Sequence, residues 1–183
     1  MIVLIVLIVV VVVLALVTMV LYNGLVGLRN KVEAAWAQID VQLTRRSELI
    51  PNLVETVKGY AAHEKETLDA VIRARNAAQS ATTPGEAAAA DNVLTGALKS
   101  VFALSEAYPD LKANQNFLSL QETLTGTEDK IAYARQFYND TVNRYNTKIQ
   151  TVPSSLLAGA FHFTEREYFE AGGSARGPVD VQF

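Results

Sequence analysis

The chain contains no cysteine, which excludes disulfides and thiolate metal sites. Histidine is almost as scarce: His63 and His162 are the only two. His63-Glu64-Lys65-Glu66-Thr67 keeps just the first two letters of the zinc-protease pattern H-E-x-x-H. The second histidine, one helical turn on, is missing, so two imidazoles cannot meet a metal on one helix face. His63 is read as a solvated helix residue and His162 as an interfacial one. The Glu-x-x-His pairing of helical di-metal bundles is absent. No glycine-rich phosphate loop follows a strand, Gly172-Gly173-Ser174 lacks the Lys-Ser/Thr context, and no serine stands in a nucleophile elbow. The chain is therefore expected to hold no cofactor and not to be an enzyme.

Charge of one sign is also lacking. Net charge is −3 with acids and bases intermixed. There is no basic stripe for nucleic acid, and most carboxylates read as solvated helix faces paired with Lys and Arg.

What the chain does have is a long apolar start. Met1 to Tyr22 carries no charge, and Thr18 interrupts the run. As a helix it is roughly 33 Å long, enough for a hydrocarbon core of roughly 30 Å. The weak helix propensity of its Val and Ile matters little in lipid, where an unpaired backbone amide costs more. A signal peptide would open on positive charge and close on a small-x-small site. Here no Lys or Arg precedes Arg29, and Thr18 to Tyr22 is a poor cleavage site. Residues 1–22 are read as an uncleaved single-pass anchor. Arg29 and Lys31 follow it closely, which favours an outside N-terminus and a cytoplasmic domain.

Beyond the anchor, apolar residues recur every three or four positions. Leu25, Leu28, Val32, Ala35, Ile39 and Leu43 form one stripe, so an amphipathic helix continues from the span. Pro51 then removes a backbone donor and disfavours helix before it. The stripe resumes with Leu53, Val57, Tyr60, Leu68 and Val71, so the pattern permits a kink or a reversal. Ser80 to Glu86 is a clear break. Thr83 can cap the next helix, Pro84 suits its first position, and Glu86 can complete a capping box. That helix is expected to run from Pro84 to about Ala107, with a short turn at Tyr108-Pro109-Asp110. A last helix, from Phe117 through Leu124, Ile131, Tyr138 and Tyr145 to about Gln150, ends at Pro153. Gly59 and Gly126 read as sites of close helix approach, because glycine inside a helix costs about 1 kcal/mol against alanine. Trp36 reads as core or membrane-proximal packing.

The tail differs. Leu156, Leu157, Phe161 and Phe163 mark a short apolar patch. Glu165 to Ala171 suits a final helical turn or two, and Val179, Val181 and Phe183 alternate as in a strand. If Pro51 is a reversal, the helices run up, down, up and down, and the fourth returns the patch to the lipid surface.

Several blocks together resemble the LemA family. They are Tyr22-Asn23-Gly24-Leu25-Val26 through Trp36 to Leu43, Arg45-Arg46-Ser47-Glu48-Leu49-Ile50-Pro51 through Gly59-Tyr60-Ala61, Tyr108-Pro109-Asp110-Leu111-Lys112-Ala113-Asn114, Leu124-Thr125-Gly126-Thr127-Glu128, Ile131-Ala132-Tyr133-Ala134-Arg135 with Tyr138-Asn139-Asp140, Tyr145-Asn146 and Pro153-Ser154. The resemblance implies a bacterial membrane protein with an N-terminal anchor and an up-and-down four-helix bundle. It therefore favours a reversal at Pro51. It carries over no catalytic residue. Some members are encoded near membrane-embedded zinc proteases, which hints at membrane quality control.

The expected fold is all-α: a transmembrane helix at 1–22 continuing into an antiparallel four-helix bundle at 23–151, then a patch and irregular tail at 152–183. The expected role is a self-associating scaffold in the cell membrane, a homo-oligomer in contact with lipid and without nucleic acid. The alternative is an adaptor for another membrane protein. Membrane or partner contacts are expected at Leu156, Leu157, Phe161, Phe163, Val179, Val181, Phe183, Arg45 and Arg46.

Overall fold

The computed structural model describes residues 1–170. They form six helices and no strand: α1 (Ile2–Lys58), α2 (Lys65–Ser80), α3 (Pro84–Leu104), α4 (Pro109–Lys112), α5 (Gln115–Gln150) and α6 (Ser154–Ala160). The apolar run and the first amphipathic stripe are one helix of 57 residues. Among the described residues, α1 is the one helix long and apolar enough to cross a membrane.

Pro51 lies inside α1 and neither ends nor reverses it. The reversal expected there occurs instead at 59–64, between α1 and α2. The physical reason is a substitute donor. Proline at 51 leaves the Ser47 carbonyl without its usual i+4 amide. Arg75, from α2, donates its Nε–H to that carbonyl at 3.0 Å. The helix therefore keeps its acceptor satisfied while the proline ring sits exposed.

The chain divides into two compact units. The first combines residues 1–36 with 137–166. Its buried side chains include Leu25, Val32, Val142, Tyr145, Ile149 and Ala158. Trp36 is half-buried, with its ring 5.7 Å from that of Tyr138.

The second unit combines residues 37–136 with 167–170. Its core gathers Ile50, Leu53 and Val57 of α1, Leu68 and Val71 of α2, Leu94, Leu98 and Val101 of α3, Leu111 of α4, and Phe117 and Leu124 of α5. Burying side chains of this size is worth about 1.5–3 kcal/mol each. Thr127 fits the buried row of α5 because its hydroxyl donates to the Thr123 carbonyl at 2.8 Å.

α3 begins on the expected capping box. The Glu86 amide donates to Thr83 Oγ1 at 3.2 Å, and Glu86 Oε2 accepts from the amides of Thr82 and Thr83. These bonds, the Thr82 amide foremost, hold the Glu86 carboxyl below its ordinary pKa. α3 stops at Leu104, earlier than expected, and the chain tightens into i+3 turns through Tyr108. Tyr108-Pro109-Asp110 opens the one-turn helix α4 rather than a plain turn.

Candidate interaction surfaces

Arg46, expected as a membrane or partner contact, is buried inside the chain. Its periodicity places it on the inner side of α1, and it is 1% exposed. Its Nη1 donates to Asp91 Oδ1 of α3 at 2.8 Å, and its Nη2 to Thr95 Oγ1 at 2.9 Å. Glu128 of α5 stands 3.6 Å from Nη2. A guanidinium with donors on a rigid fork is suited to joining three helices in this way. Burial raises the Asp91 pKa above its ordinary value and outweighs the opposing pull of Arg46, while the Glu128 carboxylate adds to the rise. The neighbouring Arg45 is exposed. Of the two arginines named from the sequence, only Arg45 is available at the surface.

α1 and α5 also frame an open groove of about 690 Å³ within the second unit. Ala37 and Val41 line it on one side, Gly126, Tyr133 and Ala134 on the other. Val41 is 61% exposed and Tyr133 75%. A Cβ added to Gly126 would meet nothing within 4 Å. Gly126 is therefore no site of close packing within the chain. Nor is Gly59, whose added Cβ would meet only the Thr56 carbonyl of the same segment. Gly59 stands where the chain leaves α1.

The third surface lies in the first unit. Leu156 is 72% exposed on α6, Leu157 and Phe163 are half-buried, and Phe161 is exposed. The Phe161 ring centroid is 4.9 Å from that of Tyr22 and that of Phe163 is 5.8 Å from it. Arg29 lies over the Phe163 ring at 5.5 Å. Val179, Val181 and Phe183 lie outside the described residues.

Glu165 to Glu170 are not helical, against expectation. Asn146 accounts for this. Its Oδ1 accepts from the Arg166 amide and its Nδ2 donates to the Arg166 carbonyl, both at 2.9 Å. The Tyr145 hydroxyl donates to the Thr164 carbonyl at 3.0 Å. The backbone groups that a helix would use are already taken. Burial raises the Tyr145 pKa above the ordinary phenol value.

His63 sits in the turn between α1 and α2, exposed, rather than on a helix. Among the described residues no three His, Cys, Asp or Glu side chains converge as metal ligands would.

A sequence profile of the LemA family matches residues 35–183. The chain belongs to the LemA family. It is 28% identical to Protein LemA of Metamycoplasma hominis over 163 residues, covering 87% of this chain and 73% of that protein. It is 25% identical to Magnetosome protein MamQ 2 of Paramagnetospirillum magneticum over 184 residues, covering 86% and 68% respectively. Magnetosome protein MamQ of Magnetospirillum gryphiswaldense matches at 24% with the same coverage. None of these names states a catalytic activity.

The blocks that resembled the LemA family serve as ties in the structure. Tyr108 donates to Glu64 Oε1 at 3.0 Å, which raises the tyrosine pKa. Asn114 caps α5 by accepting from the Phe117 amide at 3.0 Å, and its Nδ2 donates to the Tyr60 hydroxyl at 2.9 Å. The Tyr145-Asn146 pair fastens the returning tail in the same way. The residue pattern of these LemA blocks does not by itself reveal those tasks. A buried asparagine in an otherwise apolar helix row was the available signal.

Proposed function

We propose that this LemA-family chain is a non-enzymatic membrane scaffold that self-associates by docking a helix of a second copy into the α1/α5 groove. The groove carries the proposal. It exposes Val41 and Tyr133 together, and Gly126 leaves room for a neighbouring backbone. Small residues at a helix face permit such close approach. Residues 1–22 cross the bilayer, and Arg29 and Lys31 keep the rest of the chain on the cytoplasmic side.

The absence of cysteine makes the test clean. Tyr133→Cys, in native membranes, should give a crosslinked product of twice the monomer mass with a short bismaleimide. Gly126→Leu should abolish that product without loss of helicity, since the added side chain enters open space. Replacing a helical glycine should, if anything, stabilise α5 by about 1 kcal/mol. A crosslink to one dominant heterologous protein would support the adaptor reading instead. Uniform monomeric particles in mild detergent, with no crosslink, would sink both.

A further inference from the structure

Residues 149–164 contain no Lys, Arg, Asp or Glu, the longest such run after the N-terminal 28 residues. α6 lies within it. Its inward residues are Ser154 and Ala158, both buried. Its outward face carries Leu156, with Val152 before the helix and Phe161 after it, all exposed. A surface helix facing water has the opposite arrangement, apolar side inward and charge outward.

The position of that outward face is a second observation. Phe161 closes a cleft of about 350 Å³ whose other walls are Ala15, Thr18, Met19 and Tyr22. Those residues are the last two turns of the apolar run. From there the chain travels along α1 towards its charged part. Phe163 stands between Tyr22 and Arg29, and Arg166 pairs with Glu33 at 3.0 Å. Phe161 is thus level with the end of the span, and Arg166 with the first charges beyond it.

We propose that Val152, α6 and Phe161 form a second, non-spanning membrane contact, seated in the interfacial layer of the bilayer that α1 crosses. The proposal rests on residues 1–22 being the span, and is independent of the groove. The occupant of this surface is lipid because the cleft is walled by residues at bilayer depth. Aromatic side chains such as Tyr22, Phe161 and Phe163 favour that layer, with a basic residue such as Arg29 reaching the headgroups. The consequence is orientational. A lone span is free to turn about its axis, whereas a contact on one side of it fixes which face of α1 meets the membrane surface.

The test uses the full chain in vesicles of phosphatidylcholine and phosphatidylglycerol. Single variants Leu156→Cys and Val152→Cys carry the fluorophore NBD, with Leu16→Cys as the span reference and Val93→Cys as the water reference. Blue-shifted emission at 156 and 152, quenched by brominated phosphatidylcholine to an extent comparable with Leu16, is the expected result. Quenching at Leu16 with water-like emission at 156 and 152 overturns the second contact and leaves the span intact. Blue-shifted emission without bromine quenching identifies a protein cover and also overturns it. Unquenched label at Leu16 overturns the span, and this inference with it.

Discussion

The two units handle apolar surface in opposite ways. The unit built from residues 1–36 and 137–166 leaves much of its apolar surface exposed: nearly every side chain of the span, and Val152, Leu156 and Phe161 besides. Its described polar links run mainly to backbone carbonyls and amides, as at Tyr145 and Asn146. The other unit encloses a continuous hydrophobic core and places a charge cluster around Arg46 within it. On the membrane contacts proposed above, the difference follows from the solvent each surface meets. A surface solvated by hydrocarbon need not be hidden, but its backbone groups must be satisfied internally. A surface in water gains from enclosing an apolar core, and such a core tolerates a paired charge inside.

The sharpest way to break this contrast is at Arg46. Asp91→Ala leaves a buried guanidinium without its closest partner and should cost about 3–5 kcal/mol. Replacing both partners, as Arg46→Met with Asp91→Leu, should recover most of that loss. Chemical denaturation followed by circular dichroism reads both. If the double variant were as unstable as Asp91→Ala, the cluster would be more than a compensated charge.

In the other unit, Asn146→Leu removes the clamp on Arg166. Two part-buried backbone groups of Arg166 lose partners, at about 2 kcal/mol in all. The damage should stay local. Hydrogen exchange should rise sharply over 164–166 while amides of α2 and α3 remain protected. A uniform rise would mean that the clamp supports the whole chain.

Arg75→Met should cost about 1–2 kcal/mol by stranding the Ser47 carbonyl. In a Pro51→Ala background that carbonyl regains its helical donor, and the same substitution should become nearly silent. A double-mutant cycle showing no coupling between 51 and 75 would refute the substitute-donor account.

The smallest effects lie at the head of α3. Thr83→Ala should cost about 1 kcal/mol through loss of the cap. The carboxylates of α3 then offer a contrast in sign. Glu86 has a lowered pKa in the folded state, so its contribution is present above the unfolded pKa and lost as pH falls through the folded one. Asp91 has a raised pKa, so its contribution is present at low pH and lost as pH rises through the folded value. Measured against Glu86→Gln and Asp91→Asn respectively, the relative stability of the unmodified protein should climb with pH in the first comparison and fall in the second. Equal slopes would contradict the burial of Asp91.

What the sequence by itself determined was local. Apolar length marked the span, periodicity marked α1 and α5, and Thr83, Pro84 and Glu86 marked the start of α3, because caps and stripes act within a few residues of themselves. What the tertiary structure decided depended on distant partners. Pro51 stays inside a helix because Arg75, 28 positions on from Ser47, supplies a donor to the Ser47 carbonyl. Arg46 turns inward because Asp91, 45 positions on, meets it. The chain at 164–166 stays out of a helix because Asn146, 20 positions before Arg166, occupies that residue's backbone. Each outcome hangs on a polar group finding its partner across space, and no spacing along the chain encodes that meeting.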